Sequence, residues 1–200
     1  MQIQQFEKLD KKRVRVLLED GNSFVLYYGE KKRYELEEGM ELSEEIFQEI
    51  TSEVLVPRAR KRVMHLLERM DRTESQLRAK LKQGYYPEDV IEEAISYVKG
   101  YHYLDDLRFA QNYVRNHKEQ KSQRIIEVEL LRRGVAKDFV QQALEEEYCE
   151  ENERDLILKW TQKKQYSSET ADLKEKQKMY QFLLRKGFHW NDILYVLERV

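Results

Sequence analysis

A chain of 200 residues with 37% charged residues, seven glycines and two prolines excludes a disordered linker and a loop-rich β-fold. Its formal net charge of −2 excludes a uniformly cationic molecule, although the charges are unevenly distributed along the chain. One cysteine, four dispersed histidines and no long apolar run predict a cytoplasmic protein without a disulfide, cofactor, metal or membrane segment.

The first residues have the pattern of a small β-sheet. Apolar residues alternate in residues 13–18, Asp20-Gly21 predicts a hairpin turn, and residues 24–28 predict the returning strand. Two strands alone would be marginally stable, so residues 3–9 are expected to add a third.

A helix is predicted to cover this sheet. Residues 42–56 have apolar residues at helical spacing, with Ser43 as the N-cap. Pro57 is expected to end the element, because proline disfavours helical geometry at the residue before it. Residues 1–56 therefore form the first predicted segment, a β-hairpin region with a connecting helix.

From Arg58 onward the chain is helical and internally repeated. Shifts of 49 and then 53 residues align Leu77 with Ile126 and Met179, Leu81 with Leu130 and Leu183, and Ile91 with Val140 and Ile193. The predicted fold is mainly α, with three tandem three-helix, helix-turn-helix-like repeats forming an elongated curved rod after the small N-terminal β-containing extension. The predicted repeats are residues 57–100, 101–148 and 149–200.

The junction between the first two repeats is the most distinctive stretch. Gly100 is expected to end one helix in the left-handed conformation, and Asp105 to cap the next. Leu104 and Phe109 then have the spacing of a hydrophobic staple. The predicted structural motif comprises Leu104, Asp105, Asp106, Arg108, Phe109 and Ala110.

Catalysis is not predicted. The adjacent carboxylates of Asp105 and Asp106 could indicate acid–base chemistry or a metal site, but neighbouring helical residues point about 100° apart, so we favour the structural role. The chain has no glycine-rich phosphate loop. We therefore expect a protein that is not an enzyme.

Several motifs together resemble the RecX family, regulators of the bacterial recombinase RecA. They are residues 103–106, 108–110 and 113–114 at the junction, with residues 72–81 and 129–134 on either side. The resemblance covers residues 58–148 well and the remainder more loosely. It implies a monomer that binds the RecA filament and its DNA, single- or double-stranded, during DNA repair, recombination and the SOS response. It also implies modulation of recombinase, ATPase and coprotease activity, usually by inhibition.

Basic residues are the candidate binding groups. Residues 58–82 contain nine Lys or Arg against three Asp or Glu. Arg78 and Lys82 in the first repeat and Arg124 and Arg132 in the second are expected to form a basic strip along the rod, suited to phosphate or an acidic protein surface. Further candidates are Arg58, Arg60, Lys61, Arg62 and Arg72. The simpler interpretation is that such charges are only solvated.

Two other functions are compatible with the residues alone. One is a transcription regulator built from helix-turn-helix units, and the other is a helical scaffold that binds no nucleic acid. The salt dependence of binding would separate a DNA-dominated binder from the rest, and identification of the dominant partner in a lysate would separate the scaffold.

Overall fold

The computed structural model describes the backbone of residues 1–200 and every side chain except those of Glu150 and Glu151. The chain forms two compact units, Met1–Asp105 and Asp106–Val200, which we describe separately. The fold is mainly helical, with a small antiparallel sheet followed by three three-helix repeats, as predicted. The rod shape and the four segment boundaries stay predictions. Within the described residues, no helix is long and apolar enough to cross a membrane.

The N-terminal sheet has three antiparallel strands in the order β1 (Ile3–Lys8), β2 (Arg13–Leu18) and β3 (Ser23–Tyr27). The turn between β2 and β3 uses Gly21 at φ +84°, so the predicted hairpin and third strand are confirmed. The side chains of one face are buried, namely Ile3, Val14, Val16, Leu18, Phe24 and Leu26. The strand ends one residue earlier than predicted, because Tyr28 begins a short helix, α1 (Tyr28–Arg33).

The predicted end at Pro57 is wrong. Helix α2 (Glu44–Ile50), capped by Ser43 as predicted, continues through a π-helical turn (Thr51–Leu55) into α3 (Val56–Arg69) without a break. Pro57 lies in the first turn of α3. The wider π turn has already interrupted the regular hydrogen-bond ladder, so the missing proline N–H costs little there. A proline at this point is therefore compatible with one continuous helical run.

The first repeat is completed by α4 (Glu74–Lys82) and α5 (Glu88–Gly100). Thr73 caps α4 by accepting a hydrogen bond from the Gln76 N–H at 3.2 Å, and the Gln76 side chain reciprocates. One hydrophobic cluster runs from Ile3 in the sheet to Leu104 after α5. The sheet and the first repeat therefore share a single core.

The second unit contains the other two repeats. The second repeat consists of α6 (Asp106–His117), α7 (Gln123–Arg132) and α8 (Lys137–Glu147), and the third of α9 (Glu150–Lys163), α10 (Leu173–Arg185) and α11 (Trp190–Leu197). Each repeat has its own apolar cluster among the described residues.

The predicted alignment of the repeats is confirmed by burial. The aligned positions are all buried, at Leu77, Ile126 and Met179, at Leu81, Leu130 and Leu183, and at Ile91, Val140 and Ile193. The turn after the second helix of each repeat also has a left-handed residue at one equivalent position, occupied by Tyr85 (φ +58°), Gly134 (φ +81°) and Gly187 (φ +83°). Only two of the three repeats place glycine there.

The second and third repeats exchange helix caps. Ser122, before α7, donates its hydroxyl to the Lys186 carbonyl oxygen at 2.8 Å instead of accepting from its own helix. The Glu153 carboxylate of α9 takes the place of Ser122 as the acceptor at the start of α7. It accepts hydrogen bonds from the Gln123 backbone N–H at 2.7 Å and from the Tyr148 hydroxyl at 3.2 Å. Because the end of each repeat is satisfied by a residue of the other, the two repeats depend on each other for hydrogen bonds.

Candidate nucleic-acid interface

A basic cleft in the first unit is the most concentrated cationic site that we find. It encloses about 710 Å³ between the sheet, α3 and α4. Its charged or polar lining residues are Arg13, Arg58, Lys61, Arg62, His65, Lys80 and Gln83, with Tyr27 and Tyr86 as its aromatic walls. None of the residues that line it is acidic.

Some of these cations hold the cleft together. Arg58 forms an ion pair with Glu30, donates to the Val25 carbonyl oxygen at 3.0 Å, and lies 4.7 Å from the centre of the Tyr27 ring. Arg13 is paired with Asp10 at 2.7 Å. These two arginines therefore brace the wall of the cleft with their charge partly compensated.

The other cations are not compensated. Lys61, Arg62 and Lys80 are exposed, and within the described part of the chain none of them has a carboxylate in ion-pair range. Lys80 donates a hydrogen bond to the neutral Gln83 side chain at 3.1 Å. Three unpaired cations in a concave site concentrate positive potential and attract anions.

Tyr86 gives the cleft a partly buried aromatic wall. Burial raises the pKa of its phenol, while the cations of Arg58 and Arg62 act in the opposite direction. Both arginines line the cleft together with Tyr86. Cations beside an aromatic face can hold a phosphate and a stacked base together.

The predicted strip residues of the first repeat lie elsewhere on α4. Arg78 contacts Glu74 at 2.7 Å and Glu92 at 2.6 Å, and Lys82 contacts Glu88 at 3.0 Å. The hydrogen bond to Glu92 raises the pKa of Arg78 further, which keeps it cationic. Arg78 could bind a partner only by giving up these ion pairs, so its role in binding stays a prediction that these contacts do not favour.

The strip residues of the second repeat are differently placed. Arg124 and Arg132 are exposed on α7, and among the described residues neither has an ion-pair partner. Arg124 also lines a cleft between the second and third repeats. The predicted continuity of these residues with Arg78 and Lys82 stays a prediction.

The further candidates divide between two environments. Arg58, Lys61 and Arg62 line the basic cleft. Arg60 forms an ion pair with Glu93 and lies 4.6 Å from the centre of the Tyr97 ring, while Arg72 is half-buried. The binding residues predicted from the sequence did not include Arg13, Lys80, Tyr27 or Tyr86. Lys80 falls within the basic run of residues 58–82 and could have been found there, and Tyr86 lies just after α4 in the same repeat. Arg13 and Tyr27 join the cleft only through the docking of the sheet.

The junction motif has a structural setting. Leu104 is buried in the core of the first unit, and Ala110 in that of the second. Helix α6 starts at Asp106, as a cap at Asp105 predicts. Gly100 is the last residue of α5, as predicted, but its predicted left-handed conformation is wrong, because the left-handed residue is His102, at φ +57°.

Phe109 is half-buried and lies 6.3 Å from the Tyr113 ring, centre to centre, in a stacked arrangement. We therefore expect Phe109→Ala to lower the free energy of unfolding by about 1–3 kcal/mol, less than a fully buried phenylalanine would. Asp105→Ala should cost about 1 kcal/mol through the lost cap. Urea denaturation of both variants measures this order, and negligible losses for both would make the motif a contact surface.

No metal centre is found in the part of the chain that the structure describes, where no three His, Cys, Asp or Glu side chains converge. Cys149, the one cysteine, is exposed as a free thiol. The cations that line the basic cleft can bind anions.

Three family models match the helical part of the chain. Residues 59–97 match the first three-helix domain of RecX, residues 105–144 match the second, and residues 151–197 match the third. All three helical repeats are thus similar to the corresponding RecX domains.

Individual RecX proteins are also similar in sequence to this chain. A regulatory protein RecX from Caldanaerobacter subterraneus subsp. tengcongensis is 33% identical over 159 residues, 79% of this chain and 78% of the relative. One from Clostridium botulinum is 29% identical over 199 residues, 96% of this chain and 92% of the relative.

Solved structures have a similar fold. A crystal structure of a regulatory protein RecX matches with a TM-score of 0.65 and 25% identity, covering 99% of both chains. The crystal structure of RecX from Lactobacillus salivarius matches with a TM-score of 0.64 and 22% identity, covering 73% of this chain and 98% of the other.

Proposed function

Because this chain belongs to the RecX family, we propose that it binds the filament that a RecA-type recombinase forms on DNA and lowers the ATPase activity of that filament. Recombinase and coprotease activities would fall with it, since all three depend on the active filament. The protein acts as a cytoplasmic monomer in this proposal, and its partners are the recombinase and the DNA that the recombinase holds.

The observation that supports this proposal is the group of unpaired cations in the basic cleft. Lys61 and Arg62 reach it from α3, and Lys80 reaches it from α4. Each can neutralise a DNA phosphate without first breaking an ion pair, so binding is not opposed by the loss of an internal salt bridge. Arg58 and Tyr27 keep the cleft in shape.

A regulator changes the filament by binding one of its states better than another. If the protein binds a state of low turnover more tightly, it shifts the filament population toward that state. DNA phosphates in the cleft contribute affinity, and contacts with the recombinase contribute the preference for one state.

Charge reversal in the cleft tests the proposal. The triple variant Lys61→Glu, Arg62→Glu, Lys80→Glu should require at least about tenfold more protein than wild type to inhibit the ATPase of recombinase on single-stranded DNA. The salt dependence of filament binding should also weaken. The slope of the logarithm of the binding constant against the logarithm of the salt concentration should become shallower by roughly 0.9 for each phosphate contact that is lost.

A matched control keeps the same change in net charge. Lys8→Glu, Lys11→Glu, Lys32→Glu reverses three exposed lysines of the first unit that lie outside the cleft. This variant should inhibit at close to the wild-type concentration. Wild-type inhibition by a folded cleft variant, or equal loss in both variants, would contradict the role of the cleft.

A further inference from the structure

A second group of cations surrounds two aromatic rings in the third repeat. Trp160 of α9 and Phe182 of α10 pack edge to face, with ring centres 5.3 Å apart and planes at 71°. Both side chains are half-buried. Their exposed parts form an aromatic surface.

Three lysines lie over these rings. The Lys186 ammonium is 4.6 Å from the centre of the Trp160 ring and 5.7 Å from that of Phe182. Lys163 lies 5.1 Å from the Trp160 centre, and Lys164 lies 5.2 Å from the Phe182 centre. We call these five residues the lysine–aromatic patch.

The lysines of this patch have no acidic partners among the residues that the structure describes. Lys163, Lys164 and Lys186 are exposed, and no carboxylate among the described side chains pairs with any of them. The surrounding sequence is also basic, since residues 159–186 contain eight Lys or Arg and three Asp or Glu. The patch therefore has a positive potential.

A cleft of about 440 Å³ adjoins the patch. Lys164 and Phe182 line it together with Tyr166 and Lys178. The acidic residue in its lining, Glu175, holds the Asp172 backbone N–H at 3.1 Å as part of the cap of α10. The cleft thus offers aromatic and cationic groups to a planar anionic ligand.

Helix electrostatics explain part of this arrangement. Lys163 ends α9 and Lys186 follows α10, and cations at helix C-termini interact favourably with the helix dipole. That effect accounts for positive charge at these positions. It does not account for the convergence of two helix ends and three ammonium groups on one pair of aromatic rings.

We propose that the lysine–aromatic patch binds single-stranded nucleic acid, with the flexible lysines moving from the ring faces to backbone phosphates and a base stacking on the aromatic surface that they leave. Ammonium groups provide the point charges that bind phosphate, and aromatic faces bind bases of any sequence. An acidic protein segment would use the charges but has no use for the rings. This site deepens the proposed function, because it gives the second unit its own contact with DNA.

The test needs no recombinase, so its failure is distinct from failure of the proposed function. The chain has two tryptophans, and Trp190→Phe leaves Trp160 as the sole reporter. Titration of this variant with a single-stranded oligothymidine should quench Trp160 fluorescence in a saturable manner, because a stacked base lies against the indole.

Neutralisation of the lysines should weaken this binding. In the Trp190→Phe background, Lys163→Gln, Lys164→Gln, Lys186→Gln should raise the dissociation constant at least about tenfold at constant salt. The matched control Lys137→Gln, Lys174→Gln, Lys176→Gln removes three exposed lysines outside the patch and should change it less than about twofold. Thermal melting confirms that both variants are folded.

Each other result overturns the proposal. Equal affinities of the patch and control variants would mean that the patch does not bind the strand. Binding without a change in Trp160 fluorescence would place the strand elsewhere. Equal quenching by polyglutamate would make the patch a site for acidic protein.

The basic-cleft triple variant is expected to bind the oligothymidine at the patch, with the same quenching of Trp160 as the protein with the wild-type cleft.

Discussion

Replacement of Gly187 with alanine is expected to lower the free energy of unfolding by about 2–4 kcal/mol. Gly187 has φ +83°, and a Cβ built there would lie 2.8 Å from the Ser122 Oγ and 3.2 Å from Ile125 Cγ1. The Ser122 hydroxyl cannot move aside freely, because it donates to the Lys186 carbonyl oxygen. Alanine therefore adds a steric clash to the backbone strain.

Gly21 provides a matched control for the strain alone. Its φ is +84°, and nothing lies within 4 Å of a Cβ built there. Gly21→Ala should lower the free energy of unfolding by about 1–2 kcal/mol, which is the cost of the left-handed backbone conformation alone. The excess loss for Gly187→Ala in urea denaturation measures the close approach of the second and third repeats, and equal losses for the two variants would show that this approach contributes nothing.

Truncation of Glu153 should also be strongly destabilising. Glu153→Ala removes the acceptor for the Gln123 N–H and the Tyr148 hydroxyl. The side chain that is lost is only 7% exposed. The Gln123 N–H therefore loses its acceptor in a partly buried position, whereas the Tyr148 hydroxyl keeps the Lys121 carbonyl oxygen at 3.1 Å. We expect a loss of about 2–4 kcal/mol at neutral pH. Glu153→Gln keeps one acceptor oxygen in place and should cost less than about 1 kcal/mol there.

The Glu153 carboxyl also makes the free energy of unfolding of the wild-type protein depend on pH. Burial raises the pKa of Glu153 above its ordinary value of 4.5, with Asp192 raising it further, while the Gln123 N–H, the Tyr148 hydroxyl and His189 lower it. A raised pKa means that the folded protein binds this proton more tightly than the unfolded chain does. The resulting stabilisation is complete below the unfolded pKa and is lost as the pH rises through the folded pKa.

Glu153→Gln isolates this contribution. The stability of wild type relative to Glu153→Gln should therefore decrease as the pH rises above about 4.5. Urea denaturation of both proteins across this range measures the difference. A constant difference would mean that the Glu153 carboxyl has the same pKa in the folded and unfolded chains.

Local apolar periodicity made the helical repeats predictable. Leu77 and Leu81 are separated by one helical turn, and the same pair of buried positions recurs in the other repeats. Such spacing is a property of neighbouring residues, so it is visible in the chain. The caps at Ser43 and Thr73 were predictable for the same reason.

Features that leave no pattern in the local sequence were not predictable. Pro57 is tolerated because of a π-helical turn that no local pattern indicates. The basic cleft forms only when Arg13 and Tyr27 of the sheet meet α3 and α4. Arg78 resembles an available cation in the sequence, but its partner Glu92 lies fourteen residues away on another helix. Charge compensation of this kind requires the tertiary structure.

The hydrophobic core that the N-terminal sheet shares with the first repeat has an evolutionary consequence. A descendant that lost the N-terminal sheet would uncover the apolar residues of the first repeat that complete the shared core. Such a lineage would survive only if polar substitutions followed at those positions, because a terminal repeat needs a polar outer face to stay soluble. Loss of the sheet and change of the first repeat should therefore be inherited together, while the second unit, with its own clusters, is free to diverge at a different rate.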